Sequence, residues 1–221
     1  MNKFLATLSI LSVLFFFTPF RANAAITYAT WNSSDNFVTL SNGDLTATVN
    51  GAWNGVRATV FKTSGKHYWE YTVAGCSPNN GDIFVGVDST SGDISDMGSV
   101  TTLDSLHLYG NSGQYLYNGT GTGADVTRKF VNGDVIGIGL DMDTPTAHFY
   151  KNGTELNASP IAQVTGASMT AETILGGTGG CNITANFGAS AFAYSVPSGY
   201  NAGLYSGSAE APFQLWPFFL F

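Results

Sequence analysis

Short runs of β-branched and aromatic residues, each cut off by a glycine- or asparagine-bearing turn, follow one another along this chain, with no apolar pattern at helical spacing. Val38-Thr39-Leu40 and the run from Leu45 to Val49 flank Ser41-Asn42-Gly43-Asp44, and an Asn-Gly pair between such runs is the strongest local hairpin signal. Leu106 to Tyr109 and Gln114 to Tyr117 flank Gly110-Asn111-Ser112-Gly113 in the same way. In the aromatic run that follows Gly65, alternation puts His67, Trp69, Tyr71 and Val73 on one face, predicted to point inward, and Tyr68, Glu70 and Thr72 on the other. Between Val135 and Met142 the even positions are large and apolar, while Gly137 and Gly139 leave room for a neighbouring ring or backbone. Strands this numerous and evenly spaced predict an all-β fold, a sandwich of two antiparallel sheets.

Composition agrees and narrows the classes. Charged residues make up only 10% of the chain, against 14% aromatics and 27 glycines, a balance that favours strands and turns over helices. Lys3, the apolar run from Phe4 to Phe17 and Ala22-Asn23-Ala24 form a secretory signal pattern over residues 1–24, with cleavage expected before Ala25. The run is shorter than the roughly 20 residues a membrane span needs, and the alternative is a retained N-terminal anchor. The remaining chain suits one domain, placed at 25–204, with a C-terminal tail at 205–221. A formal charge of −7, more negative once Lys3 and Arg21 are removed, and scattered basic residues argue against nucleic acid as a partner. The expected location is secreted, periplasmic or at the cell surface, where Cys76 and Cys181 form either a disulfide or two small buried thiols.

Eight segments, in order, resemble SPRY domains: Leu40 to Thr46, Val56-Arg57, Gly65 to Glu70, Val85-Gly86-Val87, Tyr109-Gly110, Gly133 to Leu140, Phe149 to Gly153, and Asn186-Phe187-Gly188. With Thr30 to Asp35 leading in, the version is similar to bacterial and phage modules. The resemblance implies a concanavalin-like jelly roll that has no catalysis and binds a protein or peptide through loops at one rim. By position those loops are Asn50 to Gly55, Met97 to Tyr109, and Thr178 to Gly180.

The candidate binding residues are Asn50, Trp53, Asn54, Arg57, Tyr109, Tyr117, Thr178 and Gly179. Trp53 leads, because an indole in an Asn/Gly loop is either a binding anchor or a ring folded back onto the core. Arg57 either orients an acidic or amide group or forms a buried pair, and the two tyrosines either contact a partner or pack across strands. Asp141 and Asp143 are the one same-face acidic pair on a strand, and a turn with Asx hydrogen bonding accounts for them better than a glycosidase pair does. His67, His107 and His148 lack ligand spacing, so no metal or other cofactor is expected, although Asp88, Asp93 and Asp96 leave a loop calcium site conceivable. A rival reading is a carbohydrate-binding module using Trp53 and the tyrosines. A third is an adhesive component assembled through the aromatic tail Phe213 to Phe221, for which intramolecular packing is preferred.

Overall fold

The computed structural model describes residues 25–35, 37–76, 82–89, 94, 104–117, 120–157, 159, 161–162, 164 and 167–207, with the backbone alone at Asn50 and at 177–179. The signal pattern at 1–24, Asp93, Asp96, residues 97–103 and the aromatic tail lie outside the described residues. In chain order the strands are β1 (Thr27–Tyr28), β2 (Thr39–Ser41), β3 (Thr46–Arg57), β4 (Lys66–Ala74), β5 (Ile83–Ser89), β6 (Leu106–Tyr109), β7 (Gln114–Tyr117), β8 (Thr120–Gly121), β9 (Val135–Asp141), β10 (Thr146–Lys151), β11 (Thr154–Glu155), β12 (Met169–Asn186), β13 (Asn201–Ala202) and β14 (Tyr205–Ser206). Two short 3-10 turns, Ser33–Asp35 and Val126–Arg128, complete the elements.

Two long strands hold both layers. β12 pairs with β5 over Met169 to Leu175 and with β4 over Asn182 to Asn186, while β3 accompanies it along most of its length. From the first half hang β5-β6-β7-β8, and from the second β4-β9-β10-β11. Apart from β13, which runs parallel to His67 and Tyr68 of β4, neighbouring strands are antiparallel. Tyr205 and Ser206 pair with Tyr28 and Thr27, so strand pairing reaches two residues past Leu204.

Val56, Ile83, Val85, Leu106, Leu108 and Leu175 from one layer meet Trp69, Tyr71, Ile136, Ile138, Phe149 and Ile183 from the other in a single buried core. Trp31 stacks on Tyr71 at 5.7 Å between ring centres and donates its Nε1–H to Leu45 O at 3.0 Å, satisfying the one polar atom of a wholly buried indole. The face of β4 expected inward is inward. On the opposite face Tyr68 and Glu70 are buried as well, because Phe192 lies 5.3 Å from Tyr68 and the amides of Ala193 and Tyr194 donate to Glu70 at 2.7 and 3.0 Å, while Thr72 is exposed. Gly137 and Gly139 do what their pattern predicts: a Cβ there would lie 2.4 Å from the Tyr68 hydroxyl and 3.0 Å from Tyr200. Cys76 and Cys181 are joined by a disulfide.

One expectation is overturned. Asn50 to Gly55 is the middle of β3 rather than a loop, and Thr178 to Gly180 is the middle of β12. Glycine and asparagine in these segments mark irregular pairing where the strands pass from one layer to the other, with Gly51 at φ +112°. Between the pairs Leu175–Asn54 and Gly177–Gly51, β3 takes one extra residue; between Gly177–Gly51 and Cys181–Val49, β12 takes two. A one-residue offset exchanges the faces of a strand. The inward positions of β3 therefore switch from Ala47 and Val49 to Val56, and Trp53 is turned outward.

Candidate functional site

The outer face of the β3-β12-β5-β6-β7 layer carries two cross-strand rows. The first is polar: Arg57 faces Glu172, Glu172 faces Gly86, and Gly86 faces His107. With no side chain at Gly86, His107 leans across to meet Glu172 at 2.6 Å, both side chains wholly buried, whereas a Cβ at Gly86 would lie 2.8 Å from the imidazole Cδ2. Asp88 sits beside this row and is buried, its Oδ1 accepting the Ser89 amide at 2.8 Å while Oδ2 has no hydrogen-bond partner among the described residues. Burial first, and then the charge of Glu172, push its carboxyl up to about 8. Asp88, His107 and Glu172 are sealed from solvent, while Arg57 at the end of the row is partly exposed.

The second row is apolar. Gly55 faces Ile174, Ile174 faces Phe84 and Phe84 faces Tyr109. Phe84 and Tyr109 stack at 4.3 Å, and Ile94 crosses above Gly55, whose amide donates to Ile94 O at 2.9 Å. At its end lies Trp53, 5.5 Å from Phe84 and 6.3 Å from Tyr109. A Cβ at Gly176 would lie 2.2, 2.3 and 2.5 Å from three indole atoms, so the ring rests flat on the Gly176 backbone. That leaves the opposite ring face turned away from the sheet, and Trp53 is partly exposed. Tyr109 donates to Asp82 Oδ1 at 3.0 Å, Asn111 donates to the same oxygen at 3.1 Å, and burial together with Asp82 raises the phenol of Tyr109.

Of the sequence-predicted residues, the structure brings Trp53 and Tyr109 together. Arg57 shares their face but is committed to structure, with Nε 3.5 Å from Asp35 and a hydrogen bond of 3.3 Å to Ser89 O. Asn54 alternates to the other side of β3, and Tyr117 points inward to the sandwich edge, where it lines a cavity of about 190 Å³ with Leu106, Tyr115 and Ile161. For Asn50, Thr178 and Gly179 the backbone alone is described, within β3 and β12. Asp141 accepts from the Asp143 and Thr144 amides and from the Thr144 hydroxyl, which is the Asx turn expected of it. Sequence reasoning missed Phe84 and Asp82, although alternation from Ile83 already placed Phe84 opposite the core. No group of three or more His, Cys, Asp or Glu side chains with metal-binding geometry occurs among the described residues.

The geometry is that of a two-layer antiparallel sandwich with an aromatic, carboxylate-edged outer face and a buried His–Glu pair. The SPRY domain family matches residues 66–188, and the chain belongs to that family, whose members are protein-interaction modules. Among solved structures, the SPRY domain of human HERC1 aligns with a TM-score of 0.60 at 23% identity, over 70% of this chain and 96% of that one. A human SPRY domain gives 0.55 at 17%, over 76% and 100%. The TRIM65 PSpry domain gives 0.54 at 16%, over 72% and 90%. At these identities the likeness is one of fold. No curated protein matches the chain in sequence.

Proposed function

We propose that this chain is a secreted, non-catalytic SPRY module that binds a protein or peptide on the outer face around Trp53 and Tyr109. The observation that carries the reading is the indole of Trp53, laid flat on Gly176 with its other face outward beside Tyr109 and a pinned carboxylate. Rigid aromatic side chains of this kind anchor interfaces because they present large apolar area at little entropic cost. The signal pattern and the Cys76–Cys181 bond both suit an exported protein. N-terminal sequencing of the protein recovered from an expressing host's periplasm or medium should begin at Ala25. Recovery of the full-length chain from the cytosol refutes export. Binding is tested by presenting extracellular protein to the mature domain and to Trp53→Ala: the expected result is a specific partner retained by the first and lost by the second. A partner that both retain refutes this face as the site.

One observation favours a second reading. An outward indole face is also the surface on which a pyranose ring stacks, so a glycan array run on the same two proteins is the companion experiment. Glycan signal that vanishes in Trp53→Ala, with no protein captured, makes the chain a carbohydrate-binding module.

A further inference from the structure

The outward face of Trp53 has an unneutralised acid at its edge. Tyr109 and Asn111 both donate to Oδ1 of Asp82, which fixes the carboxylate, and Oδ2 accepts no hydrogen bond among the described residues. Among the described residues no Lys or Arg side chain forms an ion pair with this carboxylate. Of the six basic residues beyond residue 24, all described, three pair with other acids, Arg57 with Asp35, Lys66 with Asp141 and Arg128 with Asp125, and Lys129 is exposed and forms no ion pair with Asp82. Lys62 and Lys151 are turned to backbone oxygens of Tyr205, Thr127 and Lys129.

A flat π-face next to a fixed, open carboxylate oxygen selects for a cation that is itself flat. A guanidinium can lie parallel on the indole while its edge N–H groups bond the carboxylate, whereas an ammonium has no plane to stack and a sugar hydroxyl leaves the charge standing. The reach is suitable, since the Trp53 ring centre is 6.3 Å from that of Tyr109 and the Tyr109 hydroxyl is 3.0 Å from Asp82. The net charge of −7 draws a basic segment toward the molecule as a whole.

We propose that this face receives an arginine side chain of its protein or peptide partner, stacked on Trp53 and hydrogen-bonded to Asp82. The proposal rests on the binding-module reading and sharpens it to one chemistry.

The probe is a random heptapeptide library displayed on phage and selected on the whole mature protein. Winning peptides are then titrated as synthetic pairs with arginine or its uncharged counterpart citrulline. Expected are winners enriched in arginine, weakened about tenfold or more by citrulline and to a similar extent by Asp82→Asn. That substitution keeps the acceptor for Tyr109, and thermal unfolding checks that the fold is intact. Winners that are lost with Trp53→Ala but carry no arginine preference overturn the proposal and leave the site standing. Winners indifferent to Trp53→Ala, no winners, or glycan binding in their place overturn both the site and the arginine.

Discussion

Asp88→Asn should make this protein more stable as pH rises. The wild-type carboxyl is wholly buried among Glu172 of β12, Arg57 of β3, Asp104 before β6 and the His107–Glu172 pair, and it stands at about 8 against 3.8 for an unperturbed side chain. At about 1.4 kcal/mol per unit of pKa, that displacement amounts to a penalty on the order of 5 kcal/mol once the folded protein must ionise the group. The direction follows from proton binding. Below pH ~4 both states hold the proton and the group contributes no slope. From there to about 8 the unfolded chain has released it while the folded chain retains it, so stability falls with rising pH by at most about 1.4 kcal/mol per unit. Above that range both are ionised and the penalty is constant. A domain of this kind has roughly 5–15 kcal/mol in total, so the effect is large enough to measure. An asparagine keeps the acceptor for the Ser89 amide and removes the charge. Urea unfolding from pH 4.5 to 8.5, disulfide intact, should give near-equal midpoints for the two proteins at the acid end and a higher midpoint for Asp88→Asn at the alkaline end. Parallel profiles, or a variant less stable at pH 8.5, would refute the account of a buried, proton-holding carboxyl.

Asp141 carries the opposite sign. Burial works against its carboxylate, yet bonds from Lys66 and Thr144 hold it at about 2, so its contribution is present above pH ~4 and is lost as pH falls through about 2. Asp141→Asn should cost about 1 kcal/mol at pH 7, screening at the exposed Lys66 end allowed for, and nothing near pH 2, by the same urea series. Replacing both Cys76 and Cys181 by serine frees a separation of 105 residues, for which chain entropy gives about 4–5 kcal/mol. The midpoint should drop accordingly, and reductant should then affect the wild type alone. Gly176→Ala places a methyl 2.2 Å from the indole of Trp53, so near-UV circular dichroism should change and binding at this face should be lost, for about 1–3 kcal/mol of stability. An unaltered tryptophan signal would show that the ring does not lie on Gly176.

Period-two alternation made much of this fold legible. Together with turn residues it assigned Trp69, Tyr71 and Val73 to the core, the hairpins at Asn42-Gly43 and at Gly110 to Gly113, and the ring-accepting faces of Gly137 and Gly139, because each is marked by residues a few positions apart. What local pattern could not decide is where two irregular strands lie side by side. Asn50 to Gly55 and Gly176 to Gly180 each have the composition of a loop, and only their pairing, about 120 residues apart in sequence, makes them strand. The same limit hid Asp82, whose significance comes from Tyr109 and Asn111 on a different hairpin, and the second burial of Tyr68 and Glu70 under the segment from Phe192 to Tyr194.

The irregularity that joins the two layers also creates the proposed binding face. Had β3 kept one alternation from Ala47 to Arg57, Val56 would have faced outward and Trp53 would have followed Ala47 and Val49 into the core, where an indole that size finds its partners among apolar side chains. The extra residue beside Gly51 reverses the sides, and the glycines across the pairing in β12 give the displaced indole a bare backbone to lie on. An outward tryptophan in mid-strand is a cost for a domain that needs only to fold, since the ring leaves part of its apolar area in water. Here the cost is reduced by burying one ring face on Gly176 and the edges against Phe84 and Tyr109, while the remaining face stays open beside Asp82. A purely structural crossing could have used any side chain at position 53. The combination of a reversed register, a glycine bed and an open carboxylate oxygen within reach is what supports the proposal of a partner at this surface over a strand that merely changes layers.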